Sequence, residues 1–121
     1  MEGKTWWEFV VDRARDLRTM LGVYLLVALG SLFLIVFGSA QLSSQGKLAV
    51  AAFIVLTAFG VAIWNDGALR DIGLGAKDMD SDLAATNVGK SWAKGPFGVF
   101  RILLFIIVAG IAVTQVMALY S

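Results

Sequence analysis

At 121 residues the chain has room for one domain, and 59% hydrophobic against 16% charged residues, with a mean hydropathy of +0.80, takes it out of the range of water-soluble folds. A net charge of +1 supplies no polyanion-binding surface, so no nucleic-acid partner is expected. Cysteine and histidine are both absent, which removes disulfides, thiol nucleophiles, the commonest haem, zinc and copper ligand, and the usual proton shuttle near neutral pH.

The predicted elements run as follows. Residues 1–19 are polar and aromatic, and "TWWEFVVDRARDL" sets Thr5 and Glu8 at capping-box spacing with Trp6, Val10, Leu17 and Leu21 at near-helical intervals. That pattern predicts a short amphipathic helix lying in the cytoplasmic interface and running into the first span. Its acidic residues, Glu2, Glu8, Asp12 and Asp16, balance Lys4, Arg13, Arg15 and Arg18, and Asp12 stands where it can pair with Arg15.

Three uncharged apolar runs follow, Leu21–Ala40, Leu48–Trp64 and Ile102–Tyr120, each within the roughly 17 to 25 residues that a bilayer-spanning helix needs. The expected fold is an all-α integral membrane protein with transmembrane helices at 20–40, 48–64 and 98–120. A short outer loop, 41–47, and a long cytoplasmic connection, 65–97, join them. The second span is the shortest and is expected to stand nearly upright. The first ends in "VFGSAQ", whose small Gly38 and Ala40 suit a signal peptidase. Cleavage after Ala40 would leave a two-helix product that resembles the type IV secretion pilins in plan, but the acidic N-terminal region and the long apolar run favour retention.

In the connection, Gly67, Gly73, Gly75, Gly89 and Gly95 argue against long regular structure. Ser81 is placed to cap a short helix that would turn Ala84, Val88 and Trp92 to the membrane surface, and Pro96 fits the first turn of the third span. Charge is segregated. Asp66, Asp71, Asp78, Asp80 and Asp82 face only Arg70 and Lys77, whereas Lys90, Lys94 and Arg101 stand unopposed next to the third span, within reach of phospholipid headgroups. Asp78, Asp80 and Asp82 also fall on the first, third and fifth places of an EF-hand-like loop. They make only a weak metal candidate, since Leu83 stands where the turn needs Gly and Gly89 where a bidentate Glu closes the site.

Nine of the ten Lys and Arg residues lie on the side of the N-terminus and the long connection, and only Lys47 lies on the other. The positive-inside rule therefore predicts a cytoplasmic N-terminus and an outer C-terminus, with a bacterial inner membrane as the expected location. Trp6, Trp7, Trp64 and Trp92 are the expected interface anchors on the basic side, and Tyr120 on the other.

All nine acidic residues also fall outside the spans, so the intramembrane charge that pumps, coupled transporters and voltage sensors require is missing. The spans carry small residues instead: Gly30 with Ser31, Gly38 with Ser39, Ala58 with Ala62, and Gly110 with Thr114, spacings that let helix backbones approach. No nucleophile, base or metal constellation is present within the spans, and an enzyme is not expected. The expected function is that of a non-catalytic accessory or assembly subunit of a larger integral membrane complex, of respiratory, photosynthetic or secretion type, with larger subunits and phospholipid as partners. The alternative is a homo-oligomeric pore or small-solute channel lined by Thr57, Thr114 or Gln115. No cofactor is predicted, while lipid, quinone or pigment contacts need only apolar grooves.

In plan, the amphipathic start, three spans, long cytoplasmic connection and short outer tail resemble the three-span small subunit of the bacterial protein-conducting channel. The Trp-Pro element of that subunit's cytoplasmic helix is missing, because "SWAKGP" separates Trp92 from Pro96. The phage holins are similar in size and span number but have the reverse orientation. Neither resemblance reaches the level of a family.

Overall fold

A computed structural model of the chain describes residues 2–121. The described residues form helices and turns only: α1 (Gly3–Gly38), a 3₁₀ turn (Ser39–Gln41), α2 (Ser44–Lys77), α3 (Ser81–Ala84), α4 (Asn87–Ala93) and α5 (Phe97–Leu119). The three long helices, α1, α2 and α5, are each long and apolar enough to cross a membrane. They run up, down and up, with α2 packed between α1 and α5.

The reason α2 takes the centre is written in its spacing. Ala51, Ile54, Ala58, Val61, Asn65, Ala68, Ile72 and Gly75 are all buried and recur every three or four residues in an unbroken seven-residue repeat. That repeat keeps one seam facing its neighbours, and five of its eight members are Ala, Gly or Asn, so the flanking backbones come close. Ala62, Leu69 and Ala76 are buried beside the seam. From α1 the buried partners are Trp6, Val10, Tyr24, Ser31 and Ile35, and from α5 they are Val108, Ala112, Gln115 and Leu119.

Two sequence expectations change. The helix of the second span does not end at Trp64: α2 continues for 13 more residues to Lys77, and residues 65–77 are helix rather than loop. Its 34 residues make about 50 Å of helix, well beyond the roughly 30 Å of a hydrocarbon core. The described part of the N-terminal segment, residues 2–19, likewise forms no separate element, since α1 runs unbroken from Gly3 to Gly38 with Glu2 at its N-cap, leaving Thr5 and Glu8 inside the helix. Of the three glycines expected to break α2, Gly67 has open space beside it, whereas Gly73 and Gly75 are points of close approach. A Cβ on Gly75 would stand 2.9 Å from the Phe9 ring, and one on Gly73 would stand 3.2 Å from Phe97. Glycine in a helix costs about 1 kcal/mol against alanine, and these packed approaches offset it.

After Lys77 the chain turns through two capped pieces. Asp80, not Ser81, caps α3 by accepting the Leu83 amide at 2.8 Å, and Thr86 caps α4 by accepting the Gly89 amide at 3.0 Å. A Cβ on Gly89 would overlap the Leu83 carbonyl oxygen, so only glycine lets α4 fold back on α3. Gly89→Ala is therefore expected to open this corner and displace Trp92. A change in tryptophan emission and faster proteolysis between 78 and 94, with α1 and α2 intact, would report it; an unchanged spectrum and digest would refute the placement.

Candidate functional site

The polar chemistry of the described residues gathers at one end of the bundle, where the N-terminal half of α1 and the last turns of α2 form a helical stem closed by α4. Trp6 sits at its centre, 1% exposed, and its indole Nε1–H donates to the Gly75 carbonyl at 2.8 Å. That carbonyl belongs to the last turn of α2 and also accepts the Asp78 amide at 3.1 Å, so the indole adds a second donor and ties α1 to the end of α2. The Trp6 ring meets Trp92 edge-on at 5.5 Å, Trp92 stacks on Phe97 at 5.6 Å, and Phe97 meets Phe100 at 6.2 Å. One aromatic chain thus ties α1, α4 and α5 together.

Charge is paired alongside. Arg13 bridges Asp16 at 3.0 Å and Asp71 at 2.9 Å, joining α1 to α2. Arg101 donates through two nitrogens to both oxygens of Asp66, at 2.6 and 2.9 Å, joining α5 to α2 in the forked geometry that suits guanidinium and carboxylate. The sequence placed Asp66 and Asp71 in an acidic part of the connection opposed only by Arg70 and Lys77, left Arg101 unopposed, and set Asp12 where it can pair with Arg15. The structure uses both aspartates inside the fold, because the extension of α2 carries them alongside α1 and α5.

Beside these pairs lies a cleft lined by Arg70, Lys77 and Arg101 with Gly73, Trp92 and Phe97. No carboxylate lines it. Arg70 approaches Asp71 only to 4.0 Å and is well exposed, and Lys77 makes no ion pair among the described residues. The cleft shares Gly98 and Arg101 with an opening bounded by Asp66 and Phe105, and Phe105 leads in turn to a groove of about 400 Å³ between α2 and α5. Val55, Phe59, Ala62, Ala109 and Met117 line that groove, which has almost no polar surface.

The remaining predicted residues fall in varied places. Ala58 and Ala62 pack in the seam. Gly30, Gly110 and Thr114 face outward, with open space where either glycine's side chain would be, and Gly38 meets only Leu34 of its own helix. Trp7, Trp64 and Tyr120 are exposed, as interface anchors need to be, while Trp92 is half-buried and Trp6 is an internal staple. Thr114 returns its hydroxyl to its own helix at Gly110 and Ile111, and Gln115 donates to the Ala28 carbonyl of α1 at 2.9 Å. Asp80 spends a carboxylate oxygen on its cap, and among the described residues no group of three or more Asp or Glu side chains is arranged to hold a metal ion, the Asp78, Asp80 and Asp82 trio included.

Three features had no local sequence signal. The Asp66–Arg101 pair joins residues 35 apart, and Trp6 and Gly75 are 69 apart. Asn65 is fully buried with neither Nδ2 nor Oδ1 bonded among the described residues. The one signal within reach was the seven-residue repeat of α2, which passes through Asp66 and Gly67 without a break. Comparison with protein-family models, with curated proteins and with solved structures returned no match, so the geometry carries the functional reading.

Proposed function

We propose that the protein is a non-catalytic accessory or assembly subunit of a larger integral membrane complex, of respiratory, photosynthetic or secretion type. The proposed setting is a bacterial inner membrane with the stem on the cytoplasmic side and the C-terminus outside. Leu26, Phe37, Leu56 and Met117 are among the large apolar side chains left exposed, at 68 to 72%, a surface that lipid or an apolar partner satisfies and water does not. The observation that carries the reading is narrower. Gly30 on α1 and Gly110 with Thr114 on α5 point away from the bundle into open space. Outward small residues give a neighbouring helix room for backbone contact, the main source of association within lipid. Polar side chains that could act on a substrate, such as Gln115, Tyr24 and Arg13, are engaged in joining helices.

The test is extraction from native membrane in a gentle detergent, followed by mass spectrometry of what accompanies the chain. Recovery with larger subunits is expected, and a monodisperse particle of this chain alone would sink the reading. A homo-oligomeric pore finds less support, because two of its three lining candidates, Thr114 and Gln115, spend polar atoms on bonds inside one protomer. Accordingly, Gln115→Leu is expected to cost about 0.6 to 1.7 kcal/mol of helix association through loss of the α5–α1 bond. It should leave liposome flux at background; flux that is present and altered by this substitution would favour the pore.

A further inference from the structure

We infer that the groove between α1 and α2 around Gly30 and Ser31 is the contact surface for a second copy of this chain. The inference rests on the proposed bilayer location and on the reading of outward small residues as helix contacts, and it gives the α1 face its occupant. Val27, Gly30, Ser31 and Leu34 line the groove from α1, and Ala49 and Phe53 from α2. Gly30 makes a socket there, with nothing within 4 Å of where its side chain would stand. Ser31 supplies the second observation. It is 8% exposed, and its hydroxyl has no hydrogen-bond partner among the described residues, whereas Thr114 returns its own to the Gly110 carbonyl. A hydroxyl held at the edge of a groove and left unbonded calls for a polar atom from outside the chain.

Depth decides what can bring that atom. Ser31 stands seven residues before Gly38, where α1 ends, which is about 10 Å down the helix. In the proposed setting this level is inside the hydrocarbon, where lipid offers acyl chains and no headgroup. The atom must come from another membrane-spanning helix, and identical chains insert in one orientation, so a second copy carries its own Ser31 to the same level. That hydroxyl is both donor and acceptor, and the bare backbone at Gly30 arrives beside it. Shape agrees with depth. Phe53 is 53% exposed and borders the same groove as Gly30, so one face carries a projection and a socket. A two-fold contact needs both on each copy. With α1 of each copy laid in the α1–α2 groove of the other, the two backbones close at Gly30 and each Phe53 covers the opposite α1. The face around Gly110 and Thr114 on α5 is left for larger subunits.

The test uses the purified intact chain in phosphatidylcholine liposomes. Cysteine is absent, so single replacements report alone. Oxidation is expected to link Val27→Cys and Leu34→Cys chains into dimers and to leave Met117→Cys, on the α5 flank, monomeric. Energy transfer between labelled chains, followed as added lipid dilutes them, measures the affinity. Ser31→Ala should weaken it roughly eightfold, the effect of losing two interhelical hydrogen bonds of average strength. Gly30→Ile fills the socket where the single chain has room, and should abolish the transfer at an unchanged circular-dichroism spectrum; Gly110→Ile, equally open, should leave it intact. Wild-type chains that stay monomeric at every dilution would overturn the inference. So would equal linking through Met117→Cys, which means random collision, or a dimer indifferent to Gly30→Ile or Ser31→Ala. In native membrane, a photo-reactive residue at position 34 that captures lipid or another protein, and not this chain, would overturn it also. A dimer extracted from native membrane without larger subunits would support this inference while refuting the accessory-subunit reading.

Discussion

Trp6→Ala is expected to free the stem and to lower unfolding stability by about 3 to 5 kcal/mol, the range for removing a buried large aromatic side chain. Three contributions fall together. The ring is 1% exposed, its N–H is the donor that α1 gives to the end of α2, and it is the first link of the chain through Trp92 to Phe97. Trp6→Phe separates them: most of the packing stays, the Gly75 carbonyl loses one donor, and the cost falls to about 1 kcal/mol. Equilibrium unfolding in detergent measures both, and limited proteolysis locates the damage. Cleavage should accelerate within 66–97 while the apolar parts of α1, α2 and α5 remain protected. If Trp6→Ala unfolds at the wild-type midpoint with an unchanged digest, the stem does not depend on this residue.

Asn65→Leu is expected to act in the opposite direction, raising stability by about 1 to 3 kcal/mol, the usual penalty for a buried polar group without partners. Asn65 occupies the α2 seam between Val61 and Ala68, wholly inaccessible, with both amide atoms unbonded among the described residues. Leucine has a similar shape and removes the penalty, so a higher midpoint in the same unfolding assay is the expected result. A lower midpoint would mean that the amide is satisfied by a bound water, which needs two or more polar partners. A polar residue in a seven-residue seam also fixes helix register at the expense of stability. The variant is then expected to be more stable but less strictly aligned, seen as broader disulfide trapping between cysteine pairs placed across α1 and α2.

Hydropathy made the all-helical class and the three long apolar helices legible, because uncharged runs of this length have few other structures open to them. The extent of α2 was not legible by the same means. Asp66, Gly67, Arg70, Asp71, Gly73 and Gly75 read as a polar, glycine-rich loop when judged one at a time, since propensity weighs each residue alone. Their periodicity said otherwise, as Asn65, Ala68, Ile72 and Gly75 continue the repeat begun at Ala51. Trp6 shows the limit on the other side. An aromatic residue near a membrane boundary was expected to face lipid headgroups, and what turns it inward is a glycine 69 residues away. The groove between α2 and α5 was equally hidden, for its walls come from two helices distant in sequence, with small Ala62 and Ala109 among its lining. The outward glycines were found by sequence, but which of them face away from the bundle depends on helix rotation, which no single span specifies.

The 13 residues of α2 beyond Trp64 make a post about 20 Å high when the bilayer surrounds the uncharged runs. Because α1 is clamped against it by Trp6 and by Arg13, the post is two helices thick. In the proposed bilayer setting, a water-soluble protein approaching along the bundle axis would meet the tip of this post, with the α3–α4 corner upon it, about 20 Å before the lipid surface.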